Sequence, residues 1–232
     1  YTGINILNKS DVNISTAEDP VEINLQGVNQ VQVEERTGMT FPKALRAFLR
    51  QDPDIILVGE IRDFETGSIA VKAAQTGHMV MSTLHTNDGP QTLTRLQDMG
   101  IQPFAVATTI NLITAQRLCR RLHPDYKLAE NLPKDVLVKE GFPAEWLENE
   151  FSVYRPGLEN EDCPSGYKGR AGIYQVMPIS DAIRRLIIEG ANAVQLADQS
   201  KRDGVWDIRL SGLAKVRAGI TSLAEVNRVT VE

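Results

Sequence analysis

The stretch DPDIILVGEIRD, residues 52–63, constrains the fold of this chain more than any other. Four consecutive apolar residues, Ile55 to Val58, have the length of a strand buried on both faces, as in a parallel sheet. Glu60 follows directly after Gly59, which places its carboxylate at the carboxyl edge of the sheet, where open α/β sheets bind ligands. Two interpretations are open. The acid serves a nucleotide, its magnesium ion or the attacking water, or it is an ordinary exposed glutamate after a buried strand.

Composition narrows the class of protein. The chain has 232 residues, enough for one large domain or two small ones. Its formal net charge of −5 argues against a dedicated nucleic-acid surface, so no nucleic-acid partner is expected. No apolar run reaches the roughly 18 residues of a membrane helix, and no export leader is recognisable. Cys119 and Cys163 are too few for a disulfide framework, which favours a cytoplasmic location.

The alternation of predicted strands and helices up to about residue 120 indicates an α/β fold. Thr40 and Asp63 are predicted helix N-caps, and Met79 to Met81 are expected at the buried centre of their strand. Strands are predicted within 13–20, on both sides of Gly27 in 21–35, at 55–58 and within 78–86. Helices are predicted over 1–9, 40–52, from Asp63 to Gly77, over 89–100 and over 103–123, the last with three arginines near its carboxyl end.

The composition changes after residue 122. Residues 123–170 carry many acids, prolines and glycines and are predicted to form a smaller subdomain or insertion. Residues 171–232 return to helical patterning. The sequence therefore predicts three parts: a core over 1–122, a subdomain over 123–170 and a helical carboxyl-terminal part over 171–232.

Polar side chains follow three of the predicted strands. Glu18 and Asp19 end the first, Glu60 follows the second and His85 follows the third. Three strands that deliver polar groups to one sheet edge would assemble a site, and phosphoryl transfer depends mostly on positioning and charge stabilisation. Glu60 is predicted to orient or deprotonate water, and Glu18 to help hold a metal ion or that water. His85 is predicted to contact a terminal phosphate or the neighbouring strand, or to be a hydrogen-bonded structural histidine.

Long sequence blocks resemble one family, the secretion-motor ATPases of type II secretion and type IV pili. ISTAEDPVE is similar to the family's Asp box, DIILVGEIRD to its Walker B strand and TGHMVMSTLHTND to its His box. QRLCRRL, GYKGRAGIYQVMPIS and VRAGITSLAEVNRVT resemble later family segments. RAFLRQDPD and AAQTGHMVMSTLHTNDGP are most similar to the pilus-assembly, or extension, branch. The resemblance covers nearly the whole chain.

The resemblance implies a RecA-like α/β core followed by a smaller, mainly helical carboxyl-terminal region. It implies a homo-hexameric ring that binds ATP and Mg²⁺ and hydrolyses ATP to drive an inner-membrane platform protein during pilus assembly. The ring would be cytoplasmic and peripheral to the inner membrane. Alternatives are a type II secretion ATPase and a non-catalytic assembly or regulatory domain of the same fold. A DNA-translocating motor has little support from the acidic composition.

The same resemblance assigns roles to individual residues. Glu60 matches the catalytic glutamate, Glu18 the Asp-box acid and His85 the His-box histidine. The arginines placed to meet a phosphate or a neighbouring subunit are Arg117, Arg120 and Arg121. A solvated or dipole-matched helix end is the alternative for at least one of them. The residues expected to bind nucleotide are Asp19, His78, Arg117 and Arg120.

The chain departs from the family in its phosphate-binding loop. No segment matches G-x-x-x-x-G-K-[ST], whose backbone donors and lysine hold phosphates. In the family that loop lies just before the segment that YTGINILN resembles. The chain is therefore expected to contribute half of a nucleotide site and to be inactive by itself.

The second departure concerns zinc. Relatives in the family often carry two CxxC pairs, a tetrahedral zinc signal. This chain has His123 and Tyr126 at the first pair and Asn160 and Cys163 at the second, and tyrosine and asparagine are poor zinc ligands. No structural zinc is expected, and Cys119 is expected to be a packed core thiol. The side chains expected to replace the metal by packing are Phe142, Trp146 and Phe151.

Overall fold

The computed structural model describes residues 1–148, 151–157, 163 and 165–230. The first half contains α1 (Thr2–Leu7), β1 (Ile14–Glu18), β2 (Asn29–Gln32), α2 (Phe41–Phe48), β3 (Ile55–Val58), α3 (Phe64–Gln75), β4 (Met79–Ser82), α4 (Gly89–Asp98) and α5 (Pro103–Thr109). The second half contains β5 (Leu112–Leu122), β6 (Lys127–Glu130), α6 (Lys134–Lys139), β7 (Val153–Pro156), β8 (Tyr167–Pro178), α7 (Asp181–Ile188), α8 (Ala193–Arg202), α9 (Ile208–Arg217) and α10 (Leu223–Thr230). Short 3-10 helices span Glu35–Thr37 and Ala144–Leu147.

Contacts divide the chain into two units. The first comprises Tyr1–Asn111 and Ile179–Leu196, and the second comprises Leu112–Pro178 and Ala197–Glu232. The predicted boundary at residue 122 coincides with the end of β5, and β5 lies wholly in the second unit. The division into three parts at 122 and 170 stays a prediction.

The first unit is built on a parallel sheet. Its strand order is β2-β1-β3-β4, and each neighbouring pair is parallel. β1 is buried along its whole length because it lies between two other strands. The α/β fold with a parallel sheet predicted from the alternating elements is confirmed.

Both faces of this sheet are covered, as the apolar run at 55–58 predicts. On one face Ile56 and Val58 belong to a core cluster that also contains Leu45 and Phe48 of α2. On the other face Ile55 packs with Ile14 of β1 and with Ile4 of α1. Alternate residues of β3 thus reach opposite layers, which is the geometry of a central strand.

Two helix starts follow the capping chemistry that the sequence predicts. The Thr40 hydroxyl accepts a hydrogen bond from the backbone N–H of Lys43 at the start of α2 (3.4 Å). Asp63 Oδ1 accepts one from the N–H of Thr66 at the start of α3 (2.8 Å). Both side chains satisfy a donor that the first helical turn leaves free.

Part of the expected secondary structure at 21–35 and 78–86 is wrong. The structure has one strand, β2, in the first segment, and the residues before Gly27 form a loop held by the Gln30 side chain. Gln30 accepts from the N–H of Leu25 (2.6 Å) and donates to the carbonyl of Ile23 (3.0 Å), so these groups need no strand partner. Met79 is 48% exposed because β4 lies at the edge of the sheet.

The long helix predicted over 103–123 is also wrong. Helix α5 ends at Thr109, and β5 pairs antiparallel with β8, which is more than 40 residues further along the chain. Apolar β5 residues such as Ile113 and Cys119 alternate along the strand and face the same layer as Ile173 of β8. Pairing with β8, which is distant in sequence, overrides the local pattern that predicts a helix.

The second unit combines two antiparallel pairs, β5–β8 and β6–β7, with helices α9 and α10. Phe142 lies in its core, and Trp146 and Phe151 pack against the same cluster, so the predicted aromatic packing is confirmed. The buried members of this cluster are Leu137, Phe142, Leu147, Val153, Leu213, Val216, Leu223 and Val226.

Candidate functional site

The carboxyl ends of β1 and β3 approach closely because a glycine lies between them. The backbone N–H of Gly59 donates to the carbonyl of Ala17 (2.7 Å). A Cβ atom at Gly59 would lie 3.1 Å from that oxygen and 3.3 Å from the Cα of Glu18. Any larger residue would push the two strand ends apart. Gly59 therefore sets Glu60 beside the end of β1, where Glu18 is located.

Glu60 is held through both of its carboxylate oxygens. Oε1 forms an ion pair with Nη2 of Arg62, and Oε2 lies 3.0 Å from Nε2 of His85. The Glu60 side chain is 12% exposed, whereas that of His85 is 85% exposed. The ring of His85 meets the acid that follows β3, and the predicted role of His85 at a terminal phosphate stays a prediction.

The electrostatic surroundings keep Glu60 ionised. The hydrogen bond from Arg62 lowers the pKa of Glu60 most, burial opposes this, and the hydrogen bond with His85 lowers the pKa further. A carboxylate with a lowered pKa is a weak base but a good hydrogen-bond acceptor. Glu60 is therefore better suited to orient a water molecule than to remove its proton.

Arg62 is a site residue that the sequence interpretation missed. Its Nη1 lies 4.0 Å from Oδ2 of Asp19 while Nη2 contacts Glu60, so one guanidinium faces acids from two strand ends. The signal was present in GEIRD, because residues two apart in an extended segment point to the same side. Asp19, predicted to bind nucleotide, is thereby placed at the same edge as Glu60.

Glu18 has a separate set of partners. Its Oε1 accepts from Oγ1 of Thr16 (2.5 Å) and from Nε2 of Gln30 (3.0 Å), and its Oε2 accepts from the Tyr1 hydroxyl. Burial alone would raise the pKa of Glu18, but these hydrogen bonds outweigh it and lower the pKa. The sequence interpretation did not identify these three neutral donors, which come from positions far apart in the chain.

His78 lies at the other end of the sheet. It precedes β4, and its Nδ1 lies 3.0 Å from the carbonyl oxygen of Ala73 and 3.2 Å from Oγ1 of Thr76, at the end of α3. Since β3 and β4 are parallel, the start of β4 is at the amino edge, whereas Glu60 is at the carboxyl edge. His78 does not join the Glu60 cluster, and its predicted nucleotide contact stays a prediction.

Arg117 and Arg120 belong to the second unit and lie on β5, so the alternative of a helix end matched to its dipole is wrong. Arg120 donates from Nε and Nη2 to Oε2 of Glu225 (3.0 and 2.8 Å), and its guanidinium lies 4.3 Å from the centre of the Tyr167 ring. These contacts give Arg120 a structural function in its own unit. The nucleotide contacts expected of both arginines stay predictions.

A polar depression of about 330 Å³ opens beside His85. It lies between the segment after β4 and the exposed side of α4 and includes one arginine and one aspartate, Arg95 and Asp98. The full lining is His85, Thr86, Asn87, Gln91, Thr94, Arg95 and Asp98. His85 thus lines the depression and also contacts Glu60.

Within residues 1–148, 151–157, 163 and 165–230, no three His, Cys, Asp or Glu side chains gather into a group that could hold a metal ion. The His123 ring packs against Tyr126 in a tilted arrangement (4.5 Å between centroids), and the Cys163 thiol is buried and 3.5 Å from the carbonyl of Tyr167. Asn160 lies outside the described residues. Cys119 is fully buried, as predicted for a core thiol.

We expect elemental analysis of the purified chain to find less than one zinc per chain, with no stoichiometric metal after dialysis. The physical reason is that only His123 and Cys163 of the four predicted positions carry good zinc ligands. A strong chelator should leave the thermal midpoint unchanged. One tightly bound zinc per chain, or a lower midpoint after chelation, would contradict this expectation.

A parallel sheet that gathers charged side chains at its carboxyl edge defines a ligand-binding α/β domain of the open-sheet class. Within that class, the chain belongs to the type II/IV secretion system protein family, whose model matches residues 1–228. The family predicted from the sequence blocks is therefore confirmed.

Two relatives and one solved structure show the range of similarity. The chain is 57% identical over 230 residues to the type IV pilus assembly ATPase PilB of Pseudomonas aeruginosa, which covers 99% of this chain and 40% of that protein. It is 46% identical over 236 residues to the type II secretion system ATPase E of Vibrio cholerae, covering 100% of this chain and 45% of that protein. The structure of the pilus retraction motor PilT with bound ADP matches with a TM-score of 0.71 and 27% identity, over 99% of this chain and 56% of that chain.

The chain thus spans less than half the length of the two sequence relatives, 40% and 45%. None of the helices in the described part of the chain combines the length and the apolar character needed to cross a membrane.

Proposed function

We propose that this chain is the nucleotide-hydrolysing part of a motor that assembles type IV pili. The observation that carries the proposal is the ionised Glu60 at the end of β3, held on one side by Arg62 and on the other by His85. The 57% identity to a type IV pilus assembly ATPase supports the branch. ADP bound to the PilT motor of similar fold supports a nucleotide as the ligand.

The chemistry proposed for the site is hydrolysis of the terminal phosphate of ATP. Glu60 accepts a hydrogen bond from a water molecule and orients it for attack, while His85 and Arg62 fix the carboxylate. Because the pKa of Glu60 is lowered, its contribution is positioning and charge rather than strong basicity. Glu18 keeps a fixed negative charge at the end of β1, where it accepts hydrogen bonds from Tyr1, Thr16 and Gln30.

Magnesium is the metal ion that the family resemblance implies beside the nucleotide. The Glu18 and Glu60 carboxylates already accept hydrogen bonds but keep further lone pairs that could face water or a metal ion. Mg²⁺ in nucleotide sites is held by phosphates and water with one or two carboxylates. We therefore assign no step to the ion, and its participation remains a prediction.

The assembly and its partner are proposals of the same kind. A homo-hexameric ring on the cytoplasmic side of the inner membrane, acting on an inner-membrane platform protein, is implied by the family resemblance. The 46% identity to a type II secretion ATPase keeps secretion as the second candidate, in which the same ring would serve a different platform protein. A non-catalytic assembly domain would need none of the Glu60 contacts.

We expect the natural, longer protein that carries these residues to hydrolyse ATP, and the 232-residue chain alone to show no turnover above background. The reason is that the 232 residues contain no G-x-x-x-x-G-K-[ST] loop to hold the phosphates. Phosphate release by both proteins, at equal concentration of chains, is the measurement.

The two results have separate meanings. An inactive longer protein would overturn the proposed function and favour the non-catalytic alternative. Robust turnover by the 232-residue chain would overturn the expectation that the chain supplies only half of the site.

A further inference from the structure

We propose that Arg62 is a further positioning residue of the hydrolytic site, one that clamps the Glu60 carboxylate and couples it to Asp19. The inference rests on the proposed hydrolysis at Glu60 and adds a residue that acts through that acid. It starts from one observation: a single guanidinium faces the acids that follow two neighbouring strands, β1 and β3.

Arg62 is one of two side chains that hold the carboxylate of Glu60. The two oxygens of Glu60 are held by Arg62 on Oε1 and by His85 on Oε2. The side chains of both partners are exposed, that of Arg62 to 58% and that of His85 to 85%. Without Arg62, the carboxylate would keep one contact and could rotate about its last side-chain bonds. Arg62 is thus needed to hold both oxygens in one orientation.

The guanidinium group of Arg62 is suited to contact two acids. It is planar, permanently charged and carries five N–H donors, so separate nitrogens can face separate acids. Arg62 uses Nη2 for Glu60 and directs Nη1 toward Asp19 at 4.0 Å. A lysine ammonium has a single nitrogen and no such fork, so it would fit the separated positions of the two acids less well. The arrangement links the end of β1 to the end of β3.

Acidic side chains surround Arg62. Glu60, Asp19 and Glu35 all favour its charged form and raise its pKa, with Glu60 the strongest influence. With three acids around one cation, the local charge is negative. The negative charge favours a contact of Arg62 with carboxylates and disfavours a contact with a phosphate. Changing Arg62 should therefore affect turnover and leave nucleotide affinity unchanged.

The test uses the natural, longer protein with Arg62→Gln, Arg62→Lys and a matched control, Arg46→Gln. Arg46 is also an exposed arginine in an ion pair of the first unit, with Glu65 (2.6 Å). We expect Arg62→Gln to lower kcat about 10- to 100-fold with KM and the ATP dissociation constant unchanged, as for a small misplacement of a catalytic group. Arg62→Lys should retain more activity than Arg62→Gln, and Arg46→Gln should match the parent protein.

The coupling to Asp19 has its own test. Asp19→Asn should lower kcat less than Arg62→Gln, and it should add little to Arg62→Gln in the double variant, because both changes break the same link. Full additivity of the two effects would overturn the coupling.

Each remaining outcome has one meaning. Unchanged kcat in Arg62→Gln overturns the inference, and so does a loss of ATP affinity, which would mark a phosphate ligand. A thermal midpoint far below that of Arg46→Gln would mark a structural role and overturn it as well.

Glu60→Gln in the same assay separates the two proposals. If Glu60→Gln stays active, the proposed function fails. If Glu60→Gln is inactive and Arg62→Gln is active, the inference about Arg62 alone fails.

Discussion

Replacing Glu60 by glutamine in the natural, longer protein should lower kcat for ATP hydrolysis by about 100- to 1,000-fold. The amide keeps the shape of the side chain but loses the charge that pairs with Arg62 and accepts a hydrogen bond from His85 or water. One amide oxygen cannot replace two carboxylate oxygens as acceptors. KM for ATP should change little, because the lost interaction is made in the transition state.

Glu65→Gln is the matched control for this prediction. Glu65 lies five residues further along the chain, its side chain is 59% exposed, and its partner Arg46 is exposed as well. Exposed pairs contribute little, so the control should keep the parent kcat and thermal midpoint. Turnover of Glu60→Gln within threefold of the control would remove Glu60 from the reaction, and the site would have to be sought elsewhere.

Glu225→Gln should lower the free energy of unfolding of the second unit by about 3 kcal/mol at pH 7. The Glu225 side chain is fully buried and accepts hydrogen bonds from Arg228 and Arg120. Burial would raise the pKa of Glu225, but the hydrogen bonds from Arg228 and Arg120 outweigh it and lower the pKa from 4.5 to about 2. The charge is therefore stabilised by the fold.

The pH dependence of the stabilisation by Glu225 follows from the direction of its pKa shift. A pKa that is lower in the folded state means that the unfolded chain binds the proton first. The stabilisation is complete above the unfolded pKa of 4.5 and is lost as the pH falls toward about 2. The difference in the free energy of unfolding between the parent protein and Glu225→Gln should therefore shrink to roughly 1 kcal/mol at pH 3.

Urea unfolding followed by tryptophan fluorescence measures this unit selectively. The chain has two tryptophans, Trp146 and Trp206, which lie in the second unit and contact each other edge-to-face (5.6 Å). Asp125→Asn is the control, since Asp125 is 79% exposed and lies 3.9 Å from His123 in a weak pair. An equal loss of stability at pH 7 and pH 3, or an equal loss in the control, would contradict the account.

Local chemistry was sufficient to predict the part of the fold that carries the site. The apolar run before Gly59 could be recognised as a doubly covered strand, and its acid could be placed at the sheet edge. The N-caps Thr40 and Asp63 depend on residues three positions away, so they too were readable from the sequence. His85 was expected beside this edge, and it meets Glu60 there.

The features that sequence patterns could not give depend on partners distant in the chain. The segment 112–122 becomes a strand because β8 pairs with it, and no local signal in QRLCRRL announces that partner. Glu18 is fixed by Tyr1 and Gln30, 17 and 12 residues away. Arg62 was visible in GEIRD, but its link to Asp19 requires the two strand ends to be adjacent in space.

The central claim is that nucleotide binds at the carboxyl edge of the parallel sheet. Hydrogen exchange of the natural, longer protein, measured by mass spectrometry with and without a non-hydrolysable ATP analogue, tests it most directly. The account predicts slower exchange in peptides that contain Gly59 to Arg62 and Thr83 to Asn87. Protection confined to the His78 segment, or none at the Glu60 segment under saturating analogue, would contradict it.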